Sequence, residues 1–310
     1  MPETTDTGPA EPLLEVTGLR KSFVTKRDVF GRAVAREDAV RGVSFALPRG
    51  RTLGIVGETG AGKSTVGRLV LRLAEPDAGS VRLLGEDVLA LGRRDLRRLR
   101  RRAQMIFQDP FASLDPRMLV GQTIGEPLLL HAGLKGAART ARIVELLGRV
   151  GLPAGTADRY PHEFSGGQLQ RVAIARALAS EPDLIVCDEP VAALDVSVQA
   201  QVLNLLLDLQ AERGLSYLFI SHDLSLVRSF AHEVAVMNHG EIVESGPGTE
   251  LFDRPQHPYT KELVSAIPVT RPGRRRSTAD RRAAALVVPA APEPPVVRPV
   301  LSHALEGDPS

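Results

Sequence analysis

The stretch RTLGIVGETGAGKSTVGRLVLRL, residues 51–73, limits most how this chain can fold. A short apolar run ends in glycine, and a pattern with helical spacing follows after a few residues. That order of strand, loop and helix belongs to an α/β core with a parallel sheet. Glycines at 57, 60 and 62 let backbone amides point inward, and the helix start adds positive potential. Lys63 supplies a point charge and Ser64 a hydroxyl ligand for Mg2+. Gly57, Glu58, Thr59, Gly60, Ala61, Gly62, Lys63, Ser64 and Thr65 are therefore expected to hold a nucleoside triphosphate.

A second glycine-rich segment, EFSGGQLQRVAIARAL at residues 163–178, opens another helical pattern although no side chain in it is a nucleophile or base. Ser165 and Gln168 fit a capping box, which would start the helix. That alone leaves Gly166 and Gly167 unexplained. A bare helix start with a serine hydroxyl is also an anion site, and two missing side chains allow close approach. Since the chain has its own phosphate cradle, this segment suits the phosphate of a nucleotide on another subunit.

Two carboxylates end the apolar run LIVCDEP, at the edge of a doubly wound sheet that faces the ligand crevice. Asp188 is placed to hold Mg2+ through water, and Glu189 to orient and polarise the water that attacks the γ-phosphate. His222 follows the apolar run LFIS, and Gln108 follows MIF, so both are expected on that same edge. His222 would touch the γ-phosphate and the attacking water, and Gln108 the metal and that water.

Beyond these motifs the text alternates strand and helix. LLEVTGLRKSF and RGVSFALPRG read as an antiparallel edge, residues 109–164 as an inserted helical subdomain, and HEVAVMNHGEIVESG as a hairpin. The fold class expected is α/β: a phosphate-loop NTPase core with a mixed sheet covered by helices, an antiparallel β edge and the helical insertion. The expected organisation is a disordered leader at 1–12, a nucleotide-binding domain at 13–268 with an extension from about 245, and a disordered Arg/Ala/Pro-rich tail at 269–310.

Composition closes off other classes. One cysteine, Cys187, cannot build a disulfide framework or a cysteine-ligated cluster. Aromatics make up 4% and Trp is absent, leaving little for base stacking. No apolar run approaches the roughly 20 residues of a membrane span, so a role at a membrane would need other chains. The basic run GRRDLRRLRRR, residues 92–102, reads as a solvated helix.

Taken in order and spacing, GETGAGKST, FSGGQLQR, LIVCDEP, AALD and the histidine of SHD resemble the ATP-binding subunits of ABC transporters over about residues 13–268. FQDPFASLDPRM, RYPHEFSGGQLQRVAIARAL and HPYTKELVSAIP resemble the oligopeptide and dipeptide importers, whose relatives also import nickel. The resemblance implies ATP and Mg2+ as cofactors and a head-to-tail pair of ATP-binding subunits, two copies or this chain with a sister. It further implies two transmembrane permease subunits, an extracytoplasmic solute-binding protein, and a place on the cytoplasmic face of the cell membrane. Gln108 would then be the lever to the permease, which docks near residues 109–118. Asp195 would join the dimer contact, and Phe23, or less well Phe30, would stack on adenine. Two departures stand out: Phe23 lacks the hydroxyl of the tyrosine that many relatives carry there, and Ala192 replaces the serine of the usual SALD.

An ABC-type ATPase working on nucleic acid or the ribosome is the competing class. Its only support is the basic run, and neither a second phosphate loop nor a sustained heptad repeat is present, so no nucleic-acid partner is expected. A catalytically weak regulatory subunit is disfavoured by the intact Ser165, Glu189 and His222.

Overall fold

The computed structural model describes residues 11–27 and 33–266. Most of the expected leader, Phe30 and the expected tail lie outside the described residues.

Strands β1 (Leu14–Arg27) and β2 (Ala33–Leu47) pair antiparallel, and β1 also pairs with β4 (Ala78–Leu83), which carries the two-residue β5 (Glu86–Asp87). This is the four-stranded sheet β2-β1-β4-β5. The second sheet has the order β10-β9-β3-β8-β7-β6. Its members are β3 (Thr52–Val56), β6 (Ala103–Ile106), β7 (Leu184–Asp188), β8 (Ser216–Ser221), β9 (Glu233–Asn238) and β10 (Glu241–Pro247). Five strands run parallel, and β10 returns antiparallel as the hairpin partner of β9.

The central strands read as unbroken apolar text because both faces of this sheet are buried. Alternate residues feed two separate cores. Leu184, Val186, Leu218, Ile220, Ala235 and Met237 enter the cluster shared with the four-stranded sheet. Ile185, Cys187, Tyr217, Phe219, Val234 and Val236 enter the cluster shared with the remaining helices. Tyr217 is fully buried, and its hydroxyl is satisfied by donating to the Leu206 carbonyl at 2.8 Å. Cys187 is fully buried, and burial pushes its thiol far up.

Helix α1 (Lys63–Val70) follows β3 and packs in the first cluster through Val66, Leu69 and Val70. The basic run forms α2 (Arg93–Arg102), with Leu99 its buried anchor. Several of its charges serve the fold: Arg100 donates to the Leu71 and Arg72 carbonyls at the end of α1, and Arg102 makes a bidentate pair with Asp183 at 2.7 and 2.9 Å. Between β6 and β7 come α3 (Pro110–Ser113), α4 (Val120–Ala132), α5 (Gly136–Arg149), two 3-10 turns and α6 (Gly166–Leu178). The chain continues through α7 (Val196–Arg213) and α8 (Leu224–Phe230), and after β10 through α9 (Gly248–Asp253) and α10 (Pro258–Ser265).

Candidate functional site

Four neighbouring parallel strands, β3, β8, β7 and β6, end on one edge of the sheet, and each delivers a candidate residue there. The loop after β3 begins at Gly57, whose φ is +152°; an added Cβ would collide with the Met237 carbonyl. Gly62, at φ +98°, would collide with the Ala39 carbonyl. Gly60 has open space around it, but its φ of +88° suits glycine. Close backbone approach therefore fixes the first and last glycines, and conformation the middle one.

Lys63 is buried, and its Nζ donates to the carbonyls of Gly57 and Glu58, both at 2.7 Å. Burial pushes its ammonium below the usual lysine range, while Glu189, Asp188 and Glu58 pull it back up. A buried cation whose observed hydrogen-bond partners are neutral carbonyls fits an anionic ligand. The Ser64 hydroxyl donates to Asp188 Oδ1 at 2.6 Å. Burial raises the Asp188 carboxyl, and the Ser64 hydrogen bond opposes that shift most. Hydroxyl and carboxylate oxygens side by side are hard donors suited to Mg2+. Among the described residues no cluster of three or more His, Cys, Asp or Glu could hold a metal by itself, so phosphate oxygens and water would complete such a site.

Glu189 has φ +48°, a left-handed conformation uncommon for a residue with a side chain, and its amide donates to the Ile220 carbonyl at 2.9 Å. Its Oε2 is reached by Gln108 Nε2 at 2.9 Å and by His222 Nδ1 at 3.1 Å. Gln108 and His222, expected near phosphate, metal and water, thus converge on the expected base. The His222 side chain is 51% exposed and that of Glu189 10%, so the histidine stands on the open side.

The Ser165 capping box is formed: Ser165 Oγ accepts from the Gln168 amide at 3.4 Å, and Gln168 Oε1 accepts from the Ser165 amide at 3.0 Å. The reading of both glycines as openings for an outside group needs correction. Gly167 is buried, and a Cβ there would run into Val198 of α7, so packing within the chain explains it. Gly166 meets only Leu194 Cδ2, at 3.4 Å. Ser165 and Gln168 are exposed, as are Asp195 and its neighbours Ala192, Ala193 and Val196. Phe23 is 44% exposed on β1, with Lys21 Nζ 5.5 Å from its ring. Two supports of the phosphate loop carry no local sequence signal: Gly240 donates its amide to the Ala61 carbonyl at 3.1 Å, and Tyr259 Oη accepts from the Glu58 amide at 3.1 Å.

The strand order, the phosphate loop and the carboxylate pair at the ends of β3 and β7 define a phosphate-loop nucleotide-binding cassette. The ABC transporter family matches residues 40–192, and the oligopeptide/dipeptide transporter C-terminal region matches residues 243–289. The chain belongs to the ABC transporter ATP-binding family, in the branch that carries this C-terminal region.

The glutathione import ATP-binding protein GsiA of Pectobacterium atrosepticum is 50% identical over 276 residues, covering 89% of this chain and 44% of that protein. The protein of the same name from Salmonella typhi is 52% identical over 266 residues, covering 86% and 43%. The chain thus spans less than half the length of these curated relatives. Among solved structures, a dimeric post-hydrolysis state of the ATP-binding cassette MJ0796 bound to ADP and Pi superposes with TM-score 0.68 at 28% identity, over 76% of this chain and 98% of that one. The cbiO1 protein of Clostridium perfringens, part of an ABC transporter complex, gives 0.66 at 27%, over 78% and 91%.

Proposed function

We propose that this chain is the ATP-hydrolysing subunit of a peptide importer, peripheral to the cytoplasmic face of the membrane. The observation that carries the reading is the convergence of Lys63, the Ser64–Asp188 pair and Glu189 on one sheet edge, with Gln108 and His222 holding Glu189. Lys63 and the loop amides bind the β- and γ-phosphates. Ser64 and Asp188 would hold Mg2+, which when bound neutralises charge on the phosphate oxygens. Glu189 Oε2 is taken by Gln108 and His222, and Oε1 has no hydrogen bond to protein among the described residues. Oε1 is thus the atom that accepts the proton of the attacking water.

A second ATP-binding subunit completes the site through its Ser165, Gly166 and Gln168, of which Gly166 gives the open approach. Asp195 and the exposed loop around it form part of that contact. Such pairing is supported by the dimeric form of the related cassette. ATP that binds the closed pair better than the open one drives closure. Motion reaches two permease subunits through Gln108 and the groove lined by Leu73, Phe107, Ser113 and Arg176, with Phe111 exposed on the same short helix as Ser113. Among the described residues no helix is long and apolar enough to cross a membrane. Peptide as cargo, delivered by an extracytoplasmic binding protein, rests on the matched C-terminal region and on relatives named for glutathione import.

The test is Mg2+-dependent ATP hydrolysis by the chain and by Glu189→Gln, with transport of labelled peptides in vesicles containing the permeases. Glu189→Gln should bind ATP and lose turnover by roughly 10²-fold or more. Turnover at the parent rate would refute the role of Glu189, and import of nickel but no peptide would redirect the cargo.

A further inference from the structure

The C-terminal extension reaches back to the phosphate loop. β10 presents Glu244, whose carboxylate accepts the amides of Gln256 at 2.8 Å and His257 at 3.0 Å. His257 Nδ1 in turn accepts the Tyr259 amide at 3.2 Å and caps α10. Tyr259, Leu263 and Val264 pack against the large core cluster, and Thr260 is fully buried. The phenol of Tyr259 is thereby held by a supported helix, and its oxygen accepts the Glu58 amide at 3.1 Å.

That amide belongs to the peptide plane joining Gly57 to Glu58. The other end of the plane, the Gly57 carbonyl, accepts from Lys63 Nζ. One plane at the mouth of the loop is therefore clamped from two sides, by the lysine that addresses phosphate and by a tyrosine 201 residues away. If Lys63 turned toward a triphosphate and left the Gly57 carbonyl, the tyrosine hydrogen bond would still hold the plane. Burial pushes the Tyr259 phenol up, so the group at the loop is a neutral hydroxyl.

We infer that Tyr259 is a positioning residue of the nucleotide site, through which the C-terminal extension holds the Gly57–Glu58 peptide in the orientation that receives triphosphate. This rests on the ATPase reading above. It also makes coupling reciprocal: nucleotide that favours the clamped loop must tighten α10.

The test uses the full chain and Tyr259→Phe, which keeps the ring in its packing and removes only the acceptor oxygen. Loss of one neutral hydrogen bond should weaken binding of MgATP, read as Kd for a non-hydrolysable analogue and as KM, by about 2- to 10-fold. The turnover number should stay within about twofold, since the groups around the attacking water are untouched. Hydrogen exchange at the Glu58 amide should speed up in the variant without nucleotide, and nucleotide should slow exchange in α10 of the parent only. Unchanged Kd, KM and Glu58 exchange in Tyr259→Phe, with a parent that binds ATP, would overturn this inference alone. A parent that binds no ATP would overturn the ATPase reading and this inference with it.

Discussion

The hydroxyl of Ser64 and the carboxylate of Asp188 lie 2.6 Å apart although 124 residues separate them in the chain. Their contact ties the first turn of α1 to the end of β7 and brings two hard oxygen donors together next to the buried Lys63 ammonium. Asp188→Asn keeps the shape and removes the charge. ATP hydrolysis should fall about 10²-fold, on the several-kcal/mol scale of metal-assisted charge stabilisation, with the largest loss at low Mg2+. Steady-state rates across a Mg2+ titration check this; a rate independent of the substitution would separate Asp188 from the metal.

Gln108 and His222 share one oxygen of Glu189. Gln108→Ala or His222→Ala should each lower turnover by roughly 10- to 10²-fold while nucleotide affinity changes little. Because both act through the same carboxylate, the double variant should lose less than the product of the two single losses. Single-turnover hydrolysis of the four proteins measures the coupling, and strictly multiplicative losses would mean that the two side chains act independently.

Gly166 and Gly167 should part company on substitution. Gly167→Ala drives a methyl group into Val198 and should cost about 1–2 kcal/mol, net of the helix propensity that alanine gains. Adding Val198→Ala should recover most of it. Gly166→Ala should leave stability within about 0.5 kcal/mol and impair ATP-driven pairing of subunits. Denaturant unfolding gives the first comparison and sedimentation with ATP the second.

His232 supplies the pH dependence. Its Nδ1 accepts the Thr52 amide at 3.1 Å, and burial, with Arg51 nearby, pushes its pKa from the ordinary 6.5 down to about 4. The folded state therefore favours neutral imidazole. The stability it contributes is complete above pH 6.5 and is lost as pH falls from there through 4. After discounting for partial exposure, the loss should be about 1–2 kcal/mol. The parent should thus lose more thermal stability than His232→Gln between pH 7 and about 4; parallel melting curves for the two would refute it.

Much of the site was legible because its parts are local. The phosphate loop, the carboxylate pair after an apolar strand and the Ser165 capping box each declare themselves within about nine residues. The fold class followed from alternating strands and helices whose apolar runs match the two buried faces. What escaped depends on contacts between distant segments. Nothing near Gly167 announces Val198, nothing near Glu58 announces Tyr259, and the turn at Gly240 does not show that it props Ala61. The basic run spells a helix in its own text, but only the fold reveals that Arg100 caps the carbonyls at the end of α1 and that Arg102 is held by Asp183.

The burial of Cys187 has a practical side. Its sulfur is enclosed in the central sheet and its thiol is pushed far up, so at neutral pH it offers neither access nor thiolate to an alkylating reagent. A single cysteine introduced at Val196, which is 81% exposed beside Asp195, would carry a fluorescent or spin label without competition from the native thiol. Labelled in that way, the molecule could report its approach to a second nucleotide-binding subunit in real time, with its own cysteine left in place.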